Sequence, residues 1–215
     1  MSEYQLHCFA QSGNAYKVAL MLNLIDADWE PIWVDFFNNG SKTPEYLAIN
    51  EMGEVPALID GANIITQSGV ILDYLSSKHG KFAATSADHR REIMRWILWD
   101  NHKFTANIAS TRSMMNFLAP EKRRQDVIDF LLGRAKTSMK VLNDRLASRR
   151  WIVGDAMTTA DLSCVGYLFY DGEFGIPLAD YPNLARWRDA IAALPGWKHP
   201  YELMPGHPLP QRKPA

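Results

Sequence analysis

Residues 53–78 read GEVPALIDGANIITQSGVILDYLSSK, and this stretch decides which fold the first part of the chain can adopt. Asp60-Gly61 separates two short apolar segments, 55–59 and 62–65, and an Asp-Gly pair in that position is typical of a β-hairpin. Over 67–78 the apolar residues recur at helical spacing. The stretch therefore predicts two antiparallel strands followed directly by a helix.

Upstream of the hairpin, strand and helix patterns alternate. We predict strands at 4–9 and 29–34 and helices at 15–24 and 43–49. Thr43 is suited to cap the second helix, with Pro44 at its first position. The complete order is βαβαββα. This order predicts an α/β thioredoxin-like domain, in which a small mixed sheet carries helices on both faces.

The pattern changes after residue 80. From 88 onward the chain contains long amphipathic stretches, which favour helices at 88–117, 121–148, 158–170 and 182–193. Six prolines from Pro195 onward predict an irregular tail. We therefore predict a thioredoxin-like domain over 1–80, a linker over 81–87, and an all-α C-terminal domain over 88–215 that includes the Pro-rich tail.

The composition of the 215 residues, with 47% hydrophobic and 22% charged residues, is that of an ordinary globular protein. It excludes disordered, fibrous and disulfide-rich classes. Cys8 and Cys164 lie far apart and match no zinc-ligand or redox pattern, which indicates a reducing compartment. The sequence shows no signal-peptide pattern and no apolar run of about 18 residues, so we predict a cytoplasmic protein without a membrane partner.

Missing motifs disfavour several ligand classes. The chain contains no glycine-rich phosphate loop, and its six histidines show no metal-ligand spacing, so we expect neither a nucleotide cofactor nor a metal. The basic pairs are dispersed and lack interleaved aromatic residues. We therefore expect no nucleic-acid partner.

Charge is distributed unevenly along the chain. Residues 1–80 hold three basic and ten acidic residues, a net charge of −7, whereas residues 81–215 hold 20 basic and 14 acidic residues, a net charge of +6. Either this asymmetry arises by chance, or an acidic half packs on a basic half within or between chains.

The loop between the first strand and the first helix is the strongest candidate for chemistry. Redox-active thioredoxin-like proteins place a CxxC motif there, because a helix N-terminus lowers the pKa of a thiol. This chain has Ser12 and Ala15 at the two cysteine positions, which excludes dithiol exchange by the chain alone. The Ser12 hydroxyl and the free N–H groups can instead stabilise the thiolate of a ligand. The alternative is that Ser12 or Asn14 only caps the helix.

Two further loops supply groups that bind a peptide. Val55-Pro56 suits a cis turn that leaves the N–H and C=O of Val55 free to pair with an extended peptide. Ser68 opens the third helix, where its hydroxyl and the N–H groups can hold a carboxylate. Each feature alone is also typical of a simple turn or a cap. Together the three loops match the groups needed to hold a short thiol peptide.

Four segments, in this order, resemble the cytosolic glutathione transferases: SGNAYKV, EYLAINEMGEVPALID, ITQSGVILDYL and WIVGDAMTTADLS. Within this family, the chain resembles the theta- and nu-like bacterial branch with a serine-type active site. It implies a thioredoxin-like domain followed by an all-α domain, and a homodimer in which the N-terminal domain of one chain faces the helical domain of the other. It also implies that Thr158 to Asp161 form a structural capping box.

The resemblance also implies residue roles. Ser12 matches the hydroxyl residue directed at the glutathione sulfur, and Asn14 is its rival for that role. The other glutathione contacts are implied for Val55, facing the cysteinyl backbone; Pro56, in the cis form; Gln67 and Ser68, at the γ-glutamyl group; Lys42, at the glycyl carboxylate; and Asp100, reaching the γ-glutamyl ammonium across the dimer.

One position departs from the family pattern. Members often carry NPxGKVP, whereas residues 50–56 read NEMGEVP, with Glu54 where a lysine would help to hold the glycyl carboxylate. Two neighbouring carboxylates in partly exposed surroundings cost about 1 kcal/mol. We therefore expect Glu54 to weaken glutathione binding, or to favour a ligand modified at that end.

An apolar pocket for the second substrate is expected on the first long helix. The candidate wall residues are Trp96, Trp99, Phe104 and Met115, of which most are expected to be core residues. The function predicted is activation of the glutathione thiol, either for conjugation to a small apolar electrophile or for reduction of peroxides or disulfides. The alternative is a non-catalytic binding or scaffold dimer, which Glu54 and the missing acid at Gln67 favour.

Overall fold

A computed structural model of the protein describes residues 2–206. The chain divides into two compact units. One unit combines the residues up to Lys81 with the segment that begins at Pro195, and the other extends from Phe82 to Leu194. Among the described helices, none combines the length and the hydropathy that a membrane span requires.

The first unit contains a four-stranded sheet in the order β2-β1-β3-β4. The strands are β1 (Tyr4–Cys8), β2 (Trp29–Trp33), β3 (Ala57–Asp60) and β4 (Asn63–Thr66). β1 is parallel to β2 and antiparallel to β3, and β3 is antiparallel to β4, which confirms the predicted hairpin. β3 begins two residues later than predicted, because Pro56 has no N–H to donate to the ladder.

Three helices of the first unit follow the predicted order: α1 (Gly13–Leu24), α2 (Pro44–Ile49) and α3 (Ser68–His79). Thr43 caps α2 as predicted, since its hydroxyl accepts from the N–H of Tyr46 at 3.3 Å. Short 3₁₀ turns at Phe36–Asn38 and Gly40–Lys42 connect β2 to α2. The mixed sheet with its helices confirms the predicted fold class.

The second unit, all of whose residues are described, contains helices and no strand, as predicted. The helices are α4 (Ala87–Trp99), α5 (Thr105–Asn116), α6 (Gln125–Arg145), α7 (Thr159–Val165) and α8 (Pro182–Ala192). A π-helical turn, Asp100–Phe104, interrupts the predicted helix 88–117. α7 ends at Val165, shorter than predicted, with Gly166 as its C-cap.

The predicted capping box at the start of α7 is present. Asp161 accepts from the N–H of Thr158 at 2.9 Å, and Thr158 caps the helix. The carboxylate also accepts from the N–H of Ile152 at 2.9 Å and from the indole of Trp187 at 3.0 Å. Burial raises the pKa of Asp161 to about 6, while these donors oppose the shift. The box is a structural element of the second unit.

The segment from Pro195 to Gly206 belongs to the first unit, whereas the sequence analysis placed it in the C-terminal domain. Its short helix α9 (Pro200–Leu203) contacts α1. The N–H of Ala10 donates to Pro205 at 2.7 Å, and the Tyr16 hydroxyl donates to the Lys198 carbonyl at 2.9 Å. These two hydrogen bonds hold the C-terminal segment against α1 and so explain why the chain comes back to the first unit. The remainder of the predicted tail, 207–215, lies outside the described residues.

Candidate functional site

Ser12 lies between β1 and α1 as the N-cap of α1. Its Oγ accepts from the N–H of Ala15 at 3.1 Å, and its own N–H donates to the Phe9 carbonyl at 3.0 Å. The residue is only 7% exposed, so the hydroxyl has a defined position. Because Oγ is an acceptor in the cap, its O–H proton remains available for a ligand anion. The capping role and the thiolate role of Ser12 are therefore compatible.

Asn14, the alternative candidate for the thiolate contact, has a side-chain oxygen without a hydrogen-bond donor. Its Oδ1 is buried and has no hydrogen-bond partner among residues 2–206. A buried amide oxygen without a donor is unfavourable, and a bound ligand that supplies a donor removes that cost. Asn14 therefore remains a candidate for ligand contact.

Cys8 lies at the end of β1, close to Ser12 in sequence, but it is not a nucleophile. Its side chain is fully buried, and burial raises the pKa of the thiol to about 12. At neutral pH the side chain is a protonated thiol. Any thiol chemistry at this site therefore uses a ligand thiol.

The turn before β3 presents an unused backbone edge. The Val55-Pro56 bond is cis, as expected. Within the part of the chain that the structure describes, Val55 makes no backbone hydrogen bond. The preceding carbonyl, that of Glu54, accepts from the Tyr46 hydroxyl and from Asn50 Nδ2, both at 2.7 Å. The turn is thus held from one side, while Val55 is free to pair with an extended peptide.

The start of α3 presents donors for an anion. Ser68 is the first helical residue and is 5% exposed, yet its hydroxyl makes no hydrogen bond with any described residue. The first N–H groups of a helix also lack intrahelical acceptors. Gln67, at a φ of 68°, donates from Nε2 to Met52 Sδ at 3.1 Å and to Glu54 Oε2 at 3.3 Å. Ser68 therefore suits a ligand carboxylate.

Lys42 lies against the turn that precedes Val55. Its Nζ donates to the carbonyl oxygens of Gly53, at 3.1 Å, and Met52, at 3.3 Å. Gly53 has a φ of 62°, and a Cβ there would lie 2.5 Å from Nζ. An ammonium has three N–H donors, so one remains for a ligand. Lys42 both fixes the turn and places positive charge beside it.

Strand register brings the three loops to one edge of the sheet. His7, at the end of β1, pairs with Ala57, at the start of β3, and Ala57 pairs with Thr66, at the end of β4. The loops that carry Ser12, Val55 and Ser68 all leave the sheet from this row of paired residues. The structure thus gathers a hydroxyl at a helix start, a free backbone pair and an anion site within the first unit.

Two family models match the chain. A model described as glutathione S-transferase, N-terminal domain matches residues 6–83, and one described as glutathione S-transferase, C-terminal domain matches residues 105–195. This chain belongs to the glutathione S-transferase family. Apart from one or two residues at the boundaries, each match falls in one of the two units described above.

Individual members of the glutathione S-transferase family are similar over most of the chain. Disulfide-bond oxidoreductase YfcG of Escherichia coli (strain K12) is 27% identical over 198 residues, covering 87% of this chain and 89% of YfcG. A glutathione S-transferase structure from Pseudomonas fluorescens is 26% identical with a TM-score of 0.87, covering 93% of this chain and 100% of that one. A glutathione transferase from Burkholderia graminis, with two glutathione molecules bound per subunit, is 27% identical with a TM-score of 0.82, covering 91% and 85%.

Asp100 does not suit the role that the resemblance to glutathione transferases implied. It lies in the π-helical turn at 0% exposure. Its carboxylate oxygens accept from the hydroxyls of Thr105 and Ser163, both at 2.7 Å. Because the carboxylate has no exposed surface and its oxygens are already bonded, it does not reach a ligand of another chain in this conformation. Asp100 is a structural acceptor inside the helical unit.

Of the four residues expected to line an apolar pocket, two are core residues, as expected for most of the set, and two are only partly buried. Trp96 and Phe104 are buried, and Trp99 packs between them, with ring centroids 5.1 Å from Trp96 and 5.6 Å from Phe104. Met115 packs toward Gly175, where a Cβ would lie 3.0 Å from its Cε. The structure places these four side chains in the packing of the helical unit.

An aromatic cluster beside Ser12 was not anticipated from the sequence. Phe9, which accepts from the Ser12 N–H, stacks on Phe36 with centroids 4.7 Å apart and contacts Phe37 edge-on at 5.6 Å. Phe36 and Phe37 are each 39% exposed. The two consecutive phenylalanines just before the Asn-Asn-Gly turn were the only feature of the sequence that could have indicated this surface. Through Phe9, this partly exposed apolar cluster is connected to the Ser12 loop.

Proposed function

We propose that the protein binds glutathione and activates its thiol as a thiolate, for conjugation to an apolar electrophile or for reduction of disulfides or peroxides. The observation that carries this proposal is the convergence of Ser12, Val55 and Ser68 at one sheet edge. Family membership and the similarity to glutathione-bound transferases support the ligand.

The three sites fit successive parts of glutathione. The backbone of Val55 pairs with the cysteinyl residue, so that the sulfur faces the N-terminus of α1. Ser68 and the first N–H groups of α3 hold the γ-glutamyl carboxylate. The remaining donor of Lys42 is directed at the glycyl carboxylate. Binding at both ends fixes the position of the sulfur between them.

Ser12 supplies the main part of thiol activation. A free thiol has a pKa of about 8.5, and lowering it by about two units requires about 2.7 kcal/mol of preferential thiolate stabilisation. A hydrogen bond to a charged group contributes about 1.5–3 kcal/mol, and a helix N-terminus about 0.3–1 kcal/mol. One hydroxyl at the start of α1 is therefore sufficient in magnitude.

The thiolate then attacks its substrate. In conjugation, the sulfur forms a bond to an electrophilic carbon and displaces a leaving group that departs with the bonding electrons. Phe36 and Phe37 offer an exposed apolar surface for such a substrate. We therefore propose an aromatic or otherwise apolar electrophile.

Disulfide reduction is a second candidate, favoured by the similarity to YfcG and by the burial of Cys8. Here the glutathione thiolate attacks one sulfur of the disulfide, forms a mixed disulfide and releases the other sulfur as a thiolate, which takes up a proton. The thiolate of a second glutathione then attacks the glutathione sulfur of the mixed disulfide, which forms oxidised glutathione and releases the remaining substrate sulfur as a thiolate that takes up a proton. No cysteine of the chain takes part.

The thiolate absorbance of bound glutathione, followed against pH, tests the proposal. We expect a pKa well below that of free glutathione, and a rise in this pKa in Ser12→Ala. A rise only in Asn14→Ala transfers the role to Asn14. Saturable glutathione binding with an unshifted thiol pKa and no turnover would instead support a non-catalytic binding dimer. No binding at millimolar glutathione by folded protein refutes the proposal.

We also propose a homodimer, supported by the opposite charges of residues 1–80 and 81–215. Sedimentation equilibrium at low and high salt tests this assembly. A monomer at micromolar concentration and low salt contradicts it.

A further inference from the structure

The side chain of Glu54 lies beside the start of α3. Its Oε2 is 3.3 Å from Nε2 of Gln67, the residue immediately before Ser68. Its backbone carbonyl is held by Tyr46 and Asn50, so the position of the residue is fixed from the protein side. Among the residues that the structure describes, no lysine, arginine or histidine nitrogen lies within 4 Å of this carboxylate. Glu54 is thus a positioned, exposed acid without a counterion.

The neighbouring Ser68 has the opposite preference. Its hydroxyl has no hydrogen-bond partner among residues 2–206 although the residue is nine-tenths buried, and it stands at the positive end of a helix of 12 residues. Gln67 links the two groups, since its side chain donates to the Glu54 carboxylate and Ser68 directly follows it in the chain. An α-amino-acid group, which carries a carboxylate and an ammonium on one carbon, has two charges that match this pair.

We propose that Glu54 binds the α-ammonium of the ligand while Ser68 and the N-terminus of α3 bind its α-carboxylate. The proposal rests on the proposed function, because the γ-glutamyl end of glutathione carries this zwitterion. The two other positions implicated at the γ-glutamyl end do not supply an acid there: residue 67 is a glutamine, and the Asp100 carboxylate is buried.

This assignment reverses the effect expected from the sequence. With Glu54 at the glycyl end, the acid repels a carboxylate and weakens glutathione binding. With Glu54 at the γ-glutamyl end, the same acid attracts an ammonium and strengthens binding. Since Gln67 and Ser68 are consecutive, the hydrogen bond between Glu54 and Gln67 supports the second arrangement.

Three ligands and three variants separate these two arrangements of Glu54. Calorimetric dissociation constants are measured at low salt for glutathione and for glutaryl-cysteinyl-glycine, which lacks only the α-amine. In Glu54→Gln we expect affinity for glutathione to fall about 2- to 5-fold, the range of an exposed ion pair, with affinity for the deaminated peptide unchanged. Glu54→Lys enlarges the loss for glutathione. Glu51→Gln, an exposed glutamate three residues away, leaves both affinities unchanged.

Several results overturn the proposal. Equal losses for both peptides in Glu54→Gln indicate a purely structural role. Tighter glutathione binding in Glu54→Lys, together with tighter binding of glutathione ethyl ester than of glutathione by the wild type, places Glu54 at the glycyl end. If the folded wild type binds neither peptide, the proposed function fails as well, whereas binding without selectivity for the amine refutes the Glu54 assignment alone.

Discussion

Replacement of Ser12 by glycine and by alanine separates its two roles. As N-cap, the Ser12 hydroxyl accepts from Ala15 at 3.1 Å, and loss of such a cap to alanine costs about 1 kcal/mol, whereas loss to glycine costs only a few tenths. As thiolate donor, the hydroxyl is lost equally in both variants. The backbone angles of Ser12, φ −87° and ψ 106°, are accessible to either residue.

We therefore expect the two variants to differ in stability but not in thiol activation. Each should raise the pKa of bound glutathione by about 1–2 units, corresponding to the about 1.5–3 kcal/mol of a charged hydrogen bond. The free energy of unfolding, from urea titrations followed by circular dichroism, should fall by about 1 kcal/mol in Ser12→Ala and much less in Ser12→Gly.

Ser12→Thr is the matched control, since it retains the hydroxyl and should keep a lowered thiol pKa. The reasoning is refuted if the thiol pKa follows stability, with a rise in Ser12→Ala and none in Ser12→Gly. That result would mean that the hydroxyl acts only by ordering the start of α1.

Three further predictions concern other parts of the molecule. Phe36→Ala should raise KM for an aromatic electrophile several-fold and leave glutathione affinity unchanged, as measured by steady-state kinetics and calorimetry; an unchanged KM contradicts the apolar surface. The hydrogen bond from Arg95 holds the pKa of Glu92 at about 2, below its usual 4.5, so its stabilisation is complete above pH 4.5 and lost as pH falls through about 2. Because Glu92 is 35% exposed, we expect Glu92→Gln to lower the free energy of unfolding by only about 1 kcal/mol at pH 7. In urea titrations this difference should vanish as the pH falls toward 2. A difference that does not depend on pH would refute the ion pair. Gly206 has a φ of 127°, and a Cβ there would lie 3.3 Å from the backbone nitrogen of Ala10. Gly206→Val should therefore destabilise the protein by about 1–3 kcal/mol and speed hydrogen exchange at the Ala10 N–H. Unchanged exchange would contradict the packing of this segment against the first unit.

The parts of the fold that were predictable carry local signals. Asp60-Gly61, Thr43-Pro44 and the Thr158 capping box each act within a few residues, so the hairpin and two helix starts follow from the sequence. The order of these elements along the chain was then enough to predict the mixed sheet. The register of its strands brings the predicted loops of the site together.

The features that the sequence analysis missed show no local signal, and several depend on contacts between residues distant in sequence. The amphipathic pattern of 88–117 is continuous, and nothing in it marks the π-helical turn that buries Asp100 and Phe104. The contact of Glu54 with Gln67 depends on closure of the hairpin between them. The return of Pro205 to Ala10 joins residues nearly two hundred positions apart, a pairing that no local pattern encodes.

The packing of the segment from Pro195 onto the first unit has a consequence for how the protein folds during its synthesis. The first unit is discontinuous, since its sheet ends before Lys81 but its last helix, α9, is encoded after Pro195. At about 5–20 residues per second, a ribosome needs roughly 6–20 s to translate the intervening stretch. During that interval the hydrogen bond from the Ala10 N–H to Pro205 and the bond from the Tyr16 hydroxyl to Lys198 cannot form. The newly made sheet therefore reaches its final hydrogen-bonded state only when nearly the whole polypeptide has emerged, and a nascent chain arrested at Lys81 should be more susceptible to protease than the same residues in the finished protein.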